Sequence, residues 1–281
     1  MAQGVAHGLA HGLAHGPAGG WPAIAAARAA DAAARVPFLV EDSGRWRPAG
    51  SVARAHLGAL ARWPDALHIE AQAVCLRCAA DARSGFLALA NGQLRADGLV
   101  RGWRDELFSL FALDDGRPLA TIERAAARFW GSLTLGAHCN GYVAGADGRP
   151  AQLWIARRAD TKPTDPGLLD NLVGGGVPHG QSPAACVRRE GWEEAGLLPA
   201  QMAGLQPGRR LRLARDIPEG LQLEDLSAYD LALPPGLVPQ NQDGEVQALL
   251  CLPVAEALAH AASGAMTVDA SLVTLDFALR H

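Results

Sequence analysis

Alternation of apolar and polar positions predicts a sheet in the C-terminal half of this chain. The runs 133–143 and 152–157 alternate as half-buried strands do, and Ala146-Asp147-Gly148 between them is a hairpin turn signal. Further strands are predicted over 211–213, 226–231 and 244–252, and closing helices over 253–262 and 270–280, the last one capped by Asp269. We therefore expect an α/β fold in which helices flank a mixed sheet.

The pattern ahead of this sheet predicts a smaller α+β unit. Helices are predicted over 21–34, 57–60 and 118–129, and strands over 67–78 and 86–89. Cys75 and Cys78 form a lone CxxC within an alternating run, which favours strand packing over a zinc or redox site. These elements suggest an accessory domain over residues 21–130 and a second domain over residues 131–281.

A four-residue repeat occupies most of residues 1–20 and places His7, His11 and His15 among glycines and alanines. Glycine in every repeat opposes helix formation, so the segment is predicted to be a disordered, low-complexity extension. Metal capture by the three histidines is the alternative.

Composition narrows the choice of partner. A chain of 281 residues that is 49% hydrophobic is long enough for two buried cores. Its net charge of -4 offers no general attraction to nucleic acid or acidic membranes, and no apolar run approaches a membrane span. The N-terminus lacks a secretory signal and the five cysteines are scattered, so we expect a small-molecule partner and a cytoplasmic location.

The segment 175–197 combines a glycine-rich turn with a short helix. Ser182 followed by Pro183 is an N-cap and first-turn pair, and Gly196 suits the C-terminal stop, so the helix is predicted over 183–195. The glycines lack side chains, which lets the backbone turn tightly and approach a phosphate or a metal ion.

Three glutamates share one sector of this helix at about 100° per residue, namely Glu190, Glu193 and Glu194. Their like charges oppose one another, and a bound cation removes that conflict. Carboxylates without a nearby His or Cys favour Mg²⁺ or Mn²⁺ over zinc. An ordinary solvated acidic face is the alternative interpretation.

The same segment resembles the signature of the Nudix hydrolase family. The matching positions are the three glutamates, Gly175, Arg189, Gly196 and Leu197. Two positions depart from the signature. Gln181 stands where the family has a glutamate and supplies no charge. Gly191 replaces an aliphatic residue, at a cost of about 1 kcal/mol in helix propensity.

A wider likeness runs from about residue 37 onward. The chain is similar to the Nudix subgroup found with thiamin pyrophosphokinase through ERAAARFWGSLTLGAHCNGYV, LWIARRADTKPTDPGLLDNLVGGGVPHGQSP and LPPGLVPQNQDGEV. The resemblance implies an accessory domain ahead of a Nudix α/β/α sandwich. It also implies a hydrolase for small diphosphates related to thiamin diphosphate, including its oxidised forms. The oligomeric state is left open, and a homodimer is compatible with the sequence.

The resemblance implies roles for individual residues. Mg²⁺ held by the three glutamates is expected to activate a water that attacks the phosphoanhydride, with Arg189 orienting the glutamates by ion pairing. Glu190 is the first candidate for the general base. Glu245, at a strand start, is the second, and an exposed turn residue is its alternative role.

Substrate contacts are predicted at five positions, which are Arg157, Lys162, Gly175, Gly176 and Gln181. A second basic cluster is an alternative phosphate site through charge-assisted hydrogen bonds, and it comprises Arg209, Arg210, Arg212 and Arg215. Solvated surface is the alternative for most of these cations.

Three functions stay open from sequence alone. A magnesium-dependent diphosphate hydrolase leads. A binding or regulatory module that has lost turnover is the second, and Gln181 motivates it. A prenyl diphosphate isomerase is the third, suggested by Cys139, although no cysteine–glutamate proton-transfer pair is identifiable.

Overall fold

The structure is a computed structural model that describes residues 20–281. The repeat with His7, His11 and His15, predicted to be a disordered extension, therefore lies outside the described residues. Within them, mixed sheets carry helices on their faces, which confirms the predicted fold class. No helix in this part of the chain combines the length and apolar character needed to cross a membrane.

The N-terminal part contains a four-stranded mixed sheet and a separate hairpin. The sheet has the order β2-β1-β4-β3, formed by β1 (Arg35–Asp42), β2 (Arg45–Ala53), β3 (Leu67–Ile69) and β4 (Val74–Leu76). The hairpin is β5 (Leu107–Phe111) with β6 (Pro118–Glu123). The helices of this part are α1 (Pro22–Ala26), α2 (Leu57–Leu60), α3 (Arg83–Ala96) and α4 (Arg124–Phe129).

Trp130 closes the core of the N-terminal part. Its ring lies 4.6 Å from that of Phe38 on β1, and its indole N–H donates to Asn91 Oδ1 at 2.8 Å. Its carbonyl accepts the N–H of Ser51 on β2 at 2.9 Å. A buried tryptophan thus finds both apolar contact and a partner for its polar atom, and it holds the end of α4 against the sheet.

The C-terminal part is built on one seven-stranded sheet. Its strands are β7 (Leu133–Ala144), β8 (Pro150–Arg158), β9 (Leu169–Asn171), β10 (Val173–Gly176), β11 (Gln206–Ile217), β12 (Gly220–Ala232) and β13 (Val246–Pro253). The main order is β11-β12-β7-β8-β13, with β10 paired to β7 and β9 to β8. The pair β12/β7 is parallel and the other named pairs are antiparallel. Its helices are α5 (Pro183–Ala195), α6 (Val254–Ser263) and α7 (Val268–Arg280).

Alternation along β8 places helices on both faces of this sheet. Leu153 and Ile155 pack with α6 and α7, whereas Trp154 between them packs with the cluster under α5. Successive side chains of a strand point to opposite faces, so a run that is apolar at consecutive positions is buried on both. The result is the α/β/α sandwich that the resemblance implied.

The strand predicted over 86–89 is wrong, because these residues lie inside α3. Leu87, Ala90 and Leu94 are buried at spacings of three and four residues, which is the period of a helix. A window of four residues is too short to separate that period from alternation.

The predicted helix over 118–129 is correct only in its second half. Residues Pro118–Glu123 form β6, and α4 begins where the Glu123 side chain accepts the N–H of Ala125 at 3.3 Å. The predicted strand over 67–78 likewise splits into β3 and β4. Local pattern misses both breaks because strand formation depends on a pairing partner, which is β5 for β6 and β4 for β3.

The first and last helices also differ from their predicted bounds. The run 21–34 contains only α1 and a 3₁₀ turn at Ala32–Ala34, and α1 packs against α6 and α7 of the C-terminal part. Helix α7 is capped by Thr267, whose hydroxyl accepts the N–H of Ala270 at 3.1 Å. The predicted cap, Asp269, lies in the first turn instead.

Candidate active site

Helix α5 has the bounds and caps that its sequence predicts. The Ser182 hydroxyl accepts the N–H of Ala185 at 3.2 Å, and Gly196 ends the helix with φ of 64°. Gly191 is one of the two positions that depart from the family signature. A Cβ added there would stand 2.6 Å from Met202 Sδ. Met202 therefore fills the space of the missing aliphatic side chain, and a larger residue at position 191 would need the end of the Met202 side chain to move.

Three consecutive glycines at the end of β10 each make room for a different side chain. An added Cβ would stand 2.8 Å from the ring of His138 at Gly174, 2.4 Å from Glu190 Oε1 at Gly175 and 2.6 Å from Phe108 Cζ at Gly176. Contacts this short exclude any larger residue without rearrangement. The three glycines thus let β10 pack closely against side chains of α5 and β5.

Arg189 joins two of the three glutamates of α5. Its Nη2 lies 2.8 Å from Glu190 Oε1 and its Nη1 lies 2.6 Å from Glu193 Oε2. The predicted role of Arg189 in orienting the glutamates matches these ion pairs. Glu193 remains about one-third exposed, whereas Glu190 turns toward the glycine turn and is largely buried.

Glu194 points to the opposite end of the glycine turn and is buried. Its Oε2 accepts the N–H of Gly174 at 2.9 Å, and its Oε1 lies 3.9 Å from Lys162 Nζ. Lys162 also forms an ion pair with Glu245. Lys162 therefore lies among the acidic groups, while Arg157, the other predicted basic contact, is exposed. Neither of the two lines the cavity described below.

Burial raises the pKa of both inward-facing glutamates. The pKa of Glu190 rises to about 7 through desolvation, which Arg189 opposes and Glu193 reinforces. The pKa of Glu194 rises well above its usual value through desolvation and the charge of Glu190. Desolvation also acts on Glu245, but the hydrogen bond and charge of Lys162 bring its pKa below the usual value.

Glu190 and Glu194 are the residues that fit a divalent cation. They offer only oxygen donors, they are buried together, and Gly175 leaves the room that the Glu190 carboxylate occupies. Two like charges in such a place are stabilised by a hard cation. No three His, Cys, Asp or Glu side chains within residues 20–281 are already arranged as a metal site, and Glu193 is held by Arg189 instead. The three-glutamate metal site stays a prediction.

A cavity of about 490 Å³ opens beside the glycine turn. Gly174, Gly175 and Gly176 form part of its wall. Four arginines also line it, and they are Arg124, Arg128, Arg158 and Arg215. Six carboxylate side chains line it as well, and they are Asp165, Asp170, Asp216, Glu219, Glu224 and Asp269. The glutamates of α5 do not line the cavity and meet its wall only through the glycine turn. A guanidinium group there that has no carboxylate partner suits a ligand that carries phosphate.

Of the four arginines that line the cavity, Arg124 and Arg128 belong to the N-terminal part, and Arg158 and Arg215 belong to the C-terminal part. Arg158 donates to Asp170 Oδ2 at 2.8 Å, and Arg215 donates to Gln222 Oε1 at 2.7 Å. The other members of the predicted basic cluster contact acidic residues away from the cavity, with Arg210 and Arg212 on Asp225 and Arg209 on Asp276. Of that cluster, only Arg215 lines the cavity.

Gln181, predicted as a substrate contact, is exposed and does not line the cavity. Arg124 and Arg128 were missed by the sequence analysis. Their spacing of four residues in ERAAARFW, separated by alanines, was the available signal, because it places two cations on one face of a helix.

Residues 139–270 match the sequence profile of the NUDIX domain. We call residues 139–270 the NUDIX domain after this match. Residues 23–133 match a second family, described as a domain of unknown function (DUF4743). The glycine turn, α5 and its glutamates lie within the NUDIX domain, whereas α4 with its two arginines lies in the DUF4743 region.

Curated relatives share both the NUDIX domain and part of the sequence before it. The chain is 39% identical over 187 residues to "Nudix hydrolase 20, chloroplastic" of Arabidopsis thaliana, which covers 66% of this chain and 49% of that protein. It is 36% identical over 193 residues to "Nudix hydrolase 24, chloroplastic" of the same plant, covering 66% and 50%. The chain thus spans about half the length of the curated relatives it matches.

Among solved structures, DR0079 from Deinococcus radiodurans is similar to this chain. The two are 22% identical, with a TM-score of 0.47, and the match covers 61% of this chain and 98% of the other.

Proposed function

We propose that this protein hydrolyses a phosphoanhydride bond of a small organic diphosphate in a magnesium-dependent reaction. The observation that carries the proposal is the buried pair Glu190 and Glu194 at the glycine turn of a NUDIX domain, beside a cavity lined by four arginines. A cavity of about 490 Å³ is of the size that small-molecule ligands occupy.

The chain's own residues hold and position the reacting groups. Glu190 and Glu194 are the proposed ligands of Mg²⁺ or Mn²⁺. Glu193 is paired with Arg189 and would join them as a ligand once that ion pair opens. Such an ion, when bound, neutralises phosphate charge and lowers the pKa of a coordinated water. The ion pair with Arg189 and the N–H of Gly174 fix the orientation of the two buried carboxylates.

Glu245 is the proposed proton acceptor. Its side chain is 43% exposed and pairs with Lys162, which in turn lies 3.9 Å from Glu194, so it stands at the edge of the acidic group with access to solvent. An ionised carboxylate with access to solvent is suited to accept a proton from a water held at the acidic group. Glu190 stays the other candidate, since each of the two carboxylates has one oxygen in an ion pair and one left.

The finer substrate proposal is thiamin diphosphate or one of its oxidised derivatives. It is supported by the similarity of three segments of the sequence to the subgroup found with thiamin pyrophosphokinase. A small-molecule substrate also agrees with the lack of net positive charge, since the chain carries -4 overall.

A hydrolysis screen tests both levels of the proposal. The full chain is incubated with thiamin diphosphate, its oxidised analogues, nucleotide sugars and dinucleotides, with Mg²⁺ or with a chelator. We expect release of phosphate or a monophosphate that requires Mg²⁺. Turnover of another diphosphate alone would remove the thiamin assignment, and no turnover of any compound would remove the hydrolase assignment.

The other two functions make different predictions in the same screen. A binding module would be stabilised by a diphosphate without turning it over. An isomerase would leave product mass unchanged. Cys139 is fully buried on β7 and desolvation raises the pKa of its thiol, so it is poorly suited to transfer a proton to a substrate.

A further inference from the structure

We propose that the active site is shared between the two parts of the chain, and that Arg124 and Arg128 of the DUF4743 region bind the phosphate groups of the substrate. This inference rests on the proposed function, because it concerns the same cavity. It assigns the region before the NUDIX domain a direct part in substrate binding.

The two arginines reach the cavity from one face of α4. They are four residues apart, which is about one helical turn, so their side chains leave the helix on the same side. Both line the cavity, as do the Gly174–Gly176 turn and parts of β12. The N–H of Ser51 on β2 donates to the carbonyl of Trp130, the residue after α4, and this hydrogen bond joins the C-terminal end of the helix to the N-terminal sheet.

Arg124 lies directly at the glycine turn. An added Cβ at Gly176 would stand 3.5 Å from its Cζ, and the guanidinium lies 5.5 Å from the centre of the Phe108 ring, which contacts the same glycine. Its Nη1 lies 2.8 Å from Glu106 Oε2, leaving its remaining N–H groups for another acceptor. Its charge is also felt at Glu190, where it opposes the rise of the pKa that burial causes, and at Glu245, where it adds to the larger effect of Lys162 in lowering the pKa.

Arg128 is a cation without a counter-ion in the described part of the chain. It is half-buried, and no carboxylate of residues 20–281 lies within ion-pair distance of it. Its backbone is fixed in place, because its carbonyl oxygen would lie 2.1 Å from a Cβ added at Gly220 on β12. A half-buried guanidinium that lines a cavity and has no carboxylate partner is suited to bind an anion there.

The arginines contributed by the NUDIX domain differ in how far they are neutralised. Arg158 donates to Asp170 and to the carbonyls of Thr164 and Asp165. Arg215 donates to Gln222, whose amide carries no charge, so its positive charge remains. The charge that remains for phosphate therefore comes from Arg215 and from Arg128 of α4, with the free N–H groups of Arg124 beside them. A purely structural role for α4, holding the two parts together, would need no charge on the cavity side.

Binding of methylenediphosphonate, a diphosphate that cannot be hydrolysed, separates these two roles. Its dissociation constant is measured by calorimetry with Mg²⁺ for the full-length protein and for Arg124→Gln, Arg128→Gln and the corresponding Lys variants. We expect each Gln variant to bind at least about tenfold more weakly, and each Lys variant to recover part of the loss, because a charge-assisted hydrogen bond is removed or partly kept.

Arg101→Gln is the matched control. Arg101 is an exposed arginine of the same region whose side chain contacts only the carbonyl of Gly98 within the described residues, at 3.2 Å. It should bind methylenediphosphonate as the parent protein does. Thermal unfolding of every variant shows that the folded state is retained. For the substrate found in the screen, KM should rise more than kcat falls.

The outcomes distinguish this inference from the proposed function. Unchanged dissociation constants and KM in the Gln variants would overturn the shared site while leaving hydrolysis intact. Arginine-dependent binding without turnover of any diphosphate would support the shared site and remove the hydrolase assignment. Absence of methylenediphosphonate binding by the parent protein would overturn the shared site directly.

Discussion

The carboxylate of Glu190 lies against the backbone of Gly175, where an added Cβ would stand 2.4 Å from Oε1. The carboxylate can lie there because glycine carries a hydrogen atom where other residues carry a Cβ. The same close contact joins the sequence signature to the geometry of the site, because the glycine and the glutamate are two of its matching positions.

Gly175→Ala should therefore displace Glu190 and reduce turnover by about 100-fold, since a shift of about 1 Å in a positioned group has an effect of that size. The overpacked contact should also lower the free energy of unfolding by about 1–3 kcal/mol. Gly204→Ala is the control, because no atom lies within 4 Å of the added Cβ. Equal kcat values for both variants would contradict the argument.

Glu194→Gln should reduce turnover by at least about 100-fold while the fold is kept. The amide oxygen still accepts the N–H of Gly174, so the contact at 2.9 Å is preserved. Removal of a buried negative charge should leave the free energy of unfolding unchanged or higher, when measured by urea unfolding in a chelator. Glu256→Gln, at an exposed position on α6, should alter neither quantity.

Gln181→Glu tests the departure from the family signature. Gln181 is exposed, and its backbone N–H donates to the carbonyl of Pro178 at 3.1 Å. A new charge in solvent should change turnover by less than about twofold and the free energy of unfolding by less than about 0.5 kcal/mol. A large gain in Mg²⁺ affinity, measured by activity against metal concentration, would instead place this side chain at the metal.

Asp230 links the C-terminal end of α7 to β12, and its contribution should depend on pH. Desolvation acts to raise its pKa, but hydrogen bonds from Arg280, Asn140 and His281 outweigh it and bring the pKa below the usual 3.8. The folded state therefore binds its proton less readily than the unfolded state does. The stabilisation is present at pH 7 and is lost as the pH falls below 3.8 through the folded-state pKa.

Asp230→Asn should accordingly lower the free energy of unfolding by about 1–3 kcal/mol at pH 7. The difference from the parent protein should shrink at low pH, where both side chains are neutral. Urea unfolding across that pH range measures both values. A difference that stays constant with pH would show that packing of the side chain, and not its charge, stabilises this contact.

Much of the NUDIX domain was predictable because its signals are local. Helix α5 has the predicted bounds, since Ser182, Pro183 and Gly196 specify its start and end within a few residues. The strands around it were also found by alternation. The N-terminal part was predicted less well, because its strands β3, β4 and β6 are short and are defined by their pairing rather than by a run of alternating residues.

The sequence by itself determined the acidic helix face, its caps and the glycine turn, because each depends on backbone preferences and spacing within about twenty residues. Only the tertiary structure decided which charged groups meet there. It brought Arg124 and Arg128 to the cavity, left Arg157 and Gln181 outside it, and placed Met202 in the space at Gly191. The contacts of Arg124 and Arg128 join residues far apart in the chain, and packing of α4, rather than any local pattern, sets their positions.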